Sequence, residues 1–256
     1  MAHPAYDLPL PSAMRPLQVQ PVALEMAGLV HWMERSSPQD LKLCRSVSGI
    51  RQAMGRGRAR RGHACGRRRS GRAIPVSRQG VRSIGPVWSR PTVIGHGVAM
   101  AFPGTPDIGL SLTSEGKDIV RLCNELGIMI DPSHMNEAGF DDVAALSSTA
   151  LVATHSNAFA ACASPRNLTD RQLHQIRDSG GMAGLNFATF ILKESGSASA
   201  DTSWQDMLPH MDHMITQLGE DHVGLGSDFD GCVVPDLIED VTGVQGLFRC
   251  HGRPWM

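Results

Sequence analysis

Between Asp40 and Asp107 the chain has no Asp or Glu at all, while Arg56, Arg58, Arg60, Arg61, Arg67, Arg68, Arg69, Arg72 and Arg78 crowd into a short part of that interval. Basic stretches do bind phosphate backbones. No aromatic residue is interleaved among these arginines and no recognition motif flanks them, so nucleic-acid binding is not expected. The formal net charge is only −1, so the whole chain exerts no global pull on nucleic acid or on an anionic membrane. No run of about 18 or more apolar residues occurs, which excludes an ordinary transmembrane helix. Met1–Pro21 holds several prolines and no apolar core of signal-peptide type, so a cytoplasmic location is expected. None of the six cysteines (Cys44, Cys65, Cys123, Cys162, Cys232, Cys250) forms a Cys-x-x-Cys pair. They read as small packed hydrophobes in a reducing compartment. No internal repeat is visible.

What is present is enough apolar material for a large core: 256 residues, 41% hydrophobic. That length fits one βα-barrel domain of about 250 residues, or two smaller domains. Residues 1–54 form an N-terminal helical part, irregular and proline-rich to residue 21 and then helical, with a break at Ser37-Pro38. Residues 55–80 are dominated by Gly and Arg and lack any regular apolar period, so they cannot build core. Residues 81–243 are orderly. Val81–Trp88 reads as a strand, and a helix from near Thr113 carries Ile119, Leu122, Cys123 and Leu126 and stops at Gly127. A strand at 128–131 leads to a helix opening at Asn136 with Phe140 and Val143 inward.

A strand at 151–154 follows, then a helix opened by the capping box Thr169-x-x-Gln172 and ending at Gly180. Gly181–Phe187 is a strand. The next helix carries the stripe Met207, Leu208, Met211, Met214, Ile215 and Leu218, and Pro209 should disturb its first turn or lie near its start. A strand at 222–227 closes the regular part. Residues 244–256 form a divergent tail without an obvious helix. Alternation of this kind predicts an α/β fold with a parallel sheet, an incomplete (β/α)8 TIM-like barrel.

Three of these strands end in residues suited to metal chemistry: Asp131-Pro132-Ser133-His134, Thr154-His155-Ser156-Asn157, and Gly226-Ser227-Asp228-Phe229-Asp230-Gly231. Polar groups delivered by successive parallel strands gather at one end of the sheet, where βα-barrels keep their chemistry. Taken singly, each histidine reads more readily as a surface or hydrogen-bonded residue; the matched positions of His134 and His155 bring a shared ligand role level with that reading. Asp228 is placed to act as general acid and base beside a metal-bound water. Its alternative is a loop-capping Asp, a role that suits Asp230 better. Arg166, in Ser164-Pro165-Arg166-Asn167, is either a bidentate carboxylate clamp or an ordinary surface residue.

The stretch from about Leu112 to Thr242 resembles the membrane dipeptidase (renal dipeptidase) family of metallopeptidases, in its bacterial branch. The resemblance is carried by Asp131–His134, Ala153–Asn157, Pro165–Asp170, Gly180–Phe187 and Asp221–Gly231, in order and at matching spacing. It is weaker over Ser83–Gly97 and Val22–Met54. The resemblance implies a (β/α)8 barrel of the metal-dependent hydrolase type, with two zinc ions at its C-terminal mouth and a metal-activated hydroxide that attacks the peptide bond of a dipeptide. By position, His134 and His155 would ligate zinc, Asp228 would be the acid/base residue, and Arg166 would hold the dipeptide's terminal carboxylate. The expected partner is a small dipeptide, with a homodimer as the candidate assembly.

The family's other ligands do not appear. His3 and Asp7 lack the His-x-Asp spacing, and His63-Ala64-Cys65-Gly66 stands where His-x-Glu-Gly would supply a bridging carboxylate. A reading-frame disturbance in GC-rich coding DNA would generate the Arg/Gly run that replaces it. At most a partial zinc site is therefore expected, with impaired activity, because catalytic zinc ordinarily takes three protein ligands. The alternatives are a non-catalytic remnant of such an enzyme, or another metal-dependent amidohydrolase on the same barrel.

Overall fold

The computed structural model describes residues 81–251 continuously, together with Leu29, residues 32–37, Lys42, Cys44, Ser46, Ser48, Gly49, Arg51 and Gln52. The Arg/Gly segment 55–80 and the positions of His3, Asp7 and His63–Gly66 lie outside the described residues. Residues 32–36 are helical and the helix ends at Ser37, ahead of Pro38, as the steric restriction on a residue before proline requires.

From residue 81 onward strands and helices alternate: β1 (Ser83–Ile84), α1 (Ser114–Leu126), β2 (Met129–Ile130), α2 (Glu137–Leu146), β3 (Val152–Ala153), α3 (Asp170–Asp178), β4 (Met182–Leu185), α4 (Trp204–Leu218), β5 (Val223–Leu225) and α5 (Val244–His251). All pairing between these strands is parallel: β1 with β2, β3 with β4, and β4 with β5. Between β2 and β3 the join is made just past the strand ends. Asp131 Oδ1 accepts from Thr154 N at 3.1 Å, Ser133 Oγ accepts from His155 N at 3.1 Å, and Ser156 Oγ donates to Ser133 O at 3.1 Å.

The helices begin where their caps stand. Thr113 Oγ1 accepts from Gly116 N, Asn136 Oδ1 from Gly139 N, and Thr169 forms the reciprocal box with Gln172; each satisfies an amide the helix leaves open. Gly127 stops α1 in the left-handed region at φ 62°. Phe140, Val143, Leu173, Ile176, Met207, Met211, Met214 and Leu218 are buried with Ala183 and Leu185 of β4 in one core. Full burial of such a side chain contributes about 1.5–3 kcal/mol each.

Three expectations need correction. The strand Val81–Trp88 contracts to Ser83–Ile84, because Gly85-Pro86 follows and proline has no N–H for a ladder. Pro209 lies in the second turn of α4 rather than at its start. The helix runs through it, held by buried Met207 before it and His210 and Met211 after it. The tail does form a helix, α5. Leu247 is buried in the core, and His251 Nε2 lies 3.0 Å from Asp212 Oδ1 of α4. Gly246 breaks the helical signal in the sequence, yet a Cβ there would come within 2.7 Å of the Trp204 ring.

Candidate metal centre

His134 follows β2 and His155 follows β3, and the fold brings their rings together. Their Nε2 atoms lie 3.0 Å apart and their ring centroids 5.0 Å apart. Both are largely buried, with His134 at 6% exposure. On the far side of each ring sits a polar contact. Ser89 Oγ is 3.4 Å from His134 Nδ1, and Thr154 Oγ1 is 2.7 Å from His155 Nδ1. Trp88 packs near His134 with ring centroids 5.9 Å apart.

Asp228 reaches this cluster through Asn186. The Asn186 amide donates to Asp228 Oδ2 at 3.3 Å and to His155 O at 3.3 Å. Its orientation is fixed, since its Oδ1 accepts from Ala188 N at 2.7 Å and its backbone exchanges two bonds with the Asn157 side chain. Asp228 takes φ 58°, a left-handed conformation uncommon outside glycine. Close approach of the chain just past β5 to the chain just past β3 makes the arrangement possible: a Cβ on Gly226 would fall 1.9 Å from Thr154 O and 2.9 Å from His155 Cα. Asp230 is exposed.

Arg166 is 2% exposed. Its Nη1 donates to Ser133 O and to Ser156 Oγ, and its Nη2 donates to His155 O at 3.1 Å. The guanidinium thus ties together the two histidine-bearing loops, and its surface alternative falls away. Asp131 and Thr154, to which the sequence motifs assign no role, back His155. Asp131 Oδ2 lies 3.6 Å from His155 Nδ1 and 2.5 Å from Thr154 Oγ1. An Asp immediately after β2, beside a strand whose own end carries His155, was the available signal. Asn186 carried no comparable signal, because its part depends on where β4 lies between β3 and β5.

Two facing imidazole nitrogens are a donor pair suited to zinc and similar cations. Tetrahedral zinc with nitrogens at about 2.0–2.1 Å sets two of them about 3.3 Å apart, close to the spacing seen. Among the described residues no group of three or more His, Cys, Asp or Glu converges as a ligand set. Elsewhere, burial pushes the Cys162 thiol up to about 12, with Glu194 adding to it, which leaves it inert as a nucleophile. Among the described residues no helix is long and apolar enough to cross a membrane.

Parallel strands flanked by helices, with imidazoles and a carboxylate at their C-terminal ends, are those of an α/β protein of the TIM-barrel-like class. Residues 10–250 match the family model for Membrane dipeptidase (Peptidase family M19), and the chain belongs to that family. It is 51% identical over 170 residues to an uncharacterized protein in the pqqA 5′ region of Klebsiella pneumoniae, covering 66% of this chain and 63% of that one. It is 38% identical over 210 residues to an uncharacterized protein in the PQQ-III 3′ region of Acinetobacter calcoaceticus, covering 78% of this chain and 65% of that one. The chain therefore spans less than two thirds of the length of these curated relatives.

Among solved structures, a dipeptidase AC described as a metallo peptidase superposes with a TM-score of 0.90 at 50% identity, over 100% of this chain and 76% of that one. A metallo peptidase from Rhodobacter sphaeroides, liganded with a phosphinate mimic of the dipeptide L-Ala-D-Ala, gives 0.88 at 49% identity, over 99% of this chain and 75% of that one.

Proposed function

We propose that this chain is a zinc-dependent dipeptidase with a partial metal site, and that its activity is correspondingly impaired. The observation that carries this reading is the pair of Nε2 atoms 3.0 Å apart at the end of neighbouring parallel strands. His134 and His155 would hold zinc, which when bound supplies Lewis-acid polarisation and acidifies a water. Asp228 takes a proton from the attacking water and returns it to the leaving amine. Asn186 holds that carboxylate on one oxygen, at Oδ2. Arg166 receives the terminal carboxylate of the dipeptide, which requires its guanidinium to share or exchange its contacts with Ser133 O and His155 O.

Among the described residues, two imidazoles alone are one ligand short of an ordinary catalytic zinc site, which supports impairment over full activity. The family match and the ligand of the Rhodobacter sphaeroides relative support a dipeptide such as L-Ala-D-Ala as the trial substrate. A reducing, cytoplasmic setting belongs to the same proposal, supported by a sequence whose cysteines form no Cys-x-x-Cys pair.

The test is metal content by mass spectrometry after zinc loading and dialysis, with hydrolysis of L-Ala-D-Ala followed in the same samples. One retained zinc that is lost in the His134→Ala variant, with slow turnover abolished by Asp228→Asn, is the expected result. Retained zinc without turnover establishes a non-catalytic remnant, the second reading, which the two-donor site favours. Zinc retained equally by wild type and His134→Ala removes the site assignment.

A further inference from the structure

The polar groups behind His155 form a chain in which the direction of every hydrogen bond can be worked out. Asp131 Oδ1 accepts from Ser133 N at 3.1 Å and from Thr154 N at 3.1 Å, and it also accepts the Ser133 hydroxyl at 2.5 Å. The two backbone amides can only donate, so Oδ1 is an acceptor without ambiguity. The other oxygen, Oδ2, is 2.5 Å from Thr154 Oγ1. Threonine has a single hydroxyl proton, and a carboxylate oxygen has none to offer, so Thr154 donates to Asp131. The hydroxyl oxygen then has only lone pairs left for His155 Nδ1, 2.7 Å away. Nδ1 must therefore carry the imidazole proton.

We propose that Asp131 and Thr154 are positioning residues that hold His155 in the Nδ1–H tautomer, so that its Nε2 lone pair is presented toward His134 for a cation. The ligand half of this statement rests on the function proposed above; the tautomer half does not. The histidine needs this help because a neutral imidazole divides its proton between two nitrogens, and only the unprotonated one binds metal. Ser133 contributes by fixing the carboxylate, since its hydroxyl both donates to Asp131 Oδ1 and accepts from His155 N.

The geometry makes a reversal available as a test. In Asp131→Asn the carboxamide oxygen must occupy the Oδ1 position, where two backbone amides require an acceptor, so the NH2 group falls at Oδ2. That group donates to Thr154 Oγ1, the threonine proton turns toward His155 Nδ1, and the imidazole proton moves to Nε2. A wrong tautomer produced by Asp→Asn behind a histidine is a known route to lost function. A residue that merely filled space would not invert the ring.

The experiment is long-range proton–nitrogen correlation NMR on the full chain labelled with nitrogen-15, without added metal and at mildly alkaline pH, with the His155 signal assigned by its loss in His155→Gln. The expected results are Nδ1–H in wild type, Nε2–H in Asp131→Asn, and Nδ1–H retained in Thr154→Ser, which keeps the hydroxyl. Zinc competition against a chelating dye should show affinity about 10–100-fold weaker in Asp131→Asn and near wild type in Thr154→Ser. Nε2–H in wild type overturns the proposal, as does Nδ1–H persisting in Asp131→Asn. If Asp131→Asn fails to fold, the wild-type tautomer still decides. Zinc failing to bind a wild-type chain that shows the Nδ1–H tautomer would refute the proposed function and the ligand half, leaving the Asp131–Thr154 lock standing.

Discussion

Lowering the pH from 7 to 5 should destabilise this protein through His210 of α4, which hydrogen-bonds the loop that carries His155. Its side chain is fully buried, its Nδ1 accepts from Ala158 N at 3.1 Å, and its Nε2 lies 2.9 Å from Leu192 O, to which it donates. Burial holds its pKa down at about 4, against the upward pull of the Leu192 carbonyl. Ala158 N–H occupies the lone pair that a second proton would need, so protonation breaks a bond and buries a charge.

The unfolded chain takes up that proton first, near the ordinary histidine value of about 6.5. Stability from this group is therefore complete above about 6.5 and is lost as pH falls toward about 4. The whole window is worth about 3 kcal/mol, of which about 2 kcal/mol is lost between pH 7 and 5. Urea unfolding followed by circular dichroism at both pH values, for wild type and His210→Gln, isolates the effect. The glutamine variant should be less stable at pH 7 and should lose about 2 kcal/mol less on acidification. Equal losses in the two proteins would refute the reasoning.

Gly226→Ala should destabilise the protein by about 1–3 kcal/mol or more by thermal unfolding, because its Cβ would meet the Thr154 carbonyl at 1.9 Å; unchanged stability would mean that Gly226 does not approach Thr154 this closely. Thr169→Ala removes the cap of α3 and should cost about 1 kcal/mol in urea unfolding, without altering zinc retention. Arg166→Met should cost about 1–3 kcal/mol, since it removes one of the two donors from each of the Ser133 and His155 carbonyls, leaving only Ser156 Oγ and the Asn186 amide. A loss below about 0.5 kcal/mol would show that those contacts are not made.

Where local chemistry decides, the sequence was readable. The caps at Thr113, Asn136 and Thr169, the left-handed stop at Gly127 and the apolar stripe of α4 all act within a few residues. The convergence of His134 and His155 followed from one rule of parallel sheets, that strand ends gather on one side. What escaped depends on distant partners. Helix α5 forms despite Gly246 because Trp204 leaves no room for a side chain there. Arg166 is buried because two loops turn their carbonyls toward it. The parts played by Thr154 and Asn186 emerge only once β2, β3, β4 and β5 are set side by side.

The join between β2 and β3 is a row of side-chain stitches, and the same atoms that close it also aim the histidine. Under the proposed function, affinity for a cation and cohesion of the wall would be a single property, and drift in Asp131, Ser133 or Thr154 would erode both together. A descendant that had lost its chemistry could not relax these positions freely. They should persist as scaffold even where no reaction depends on them.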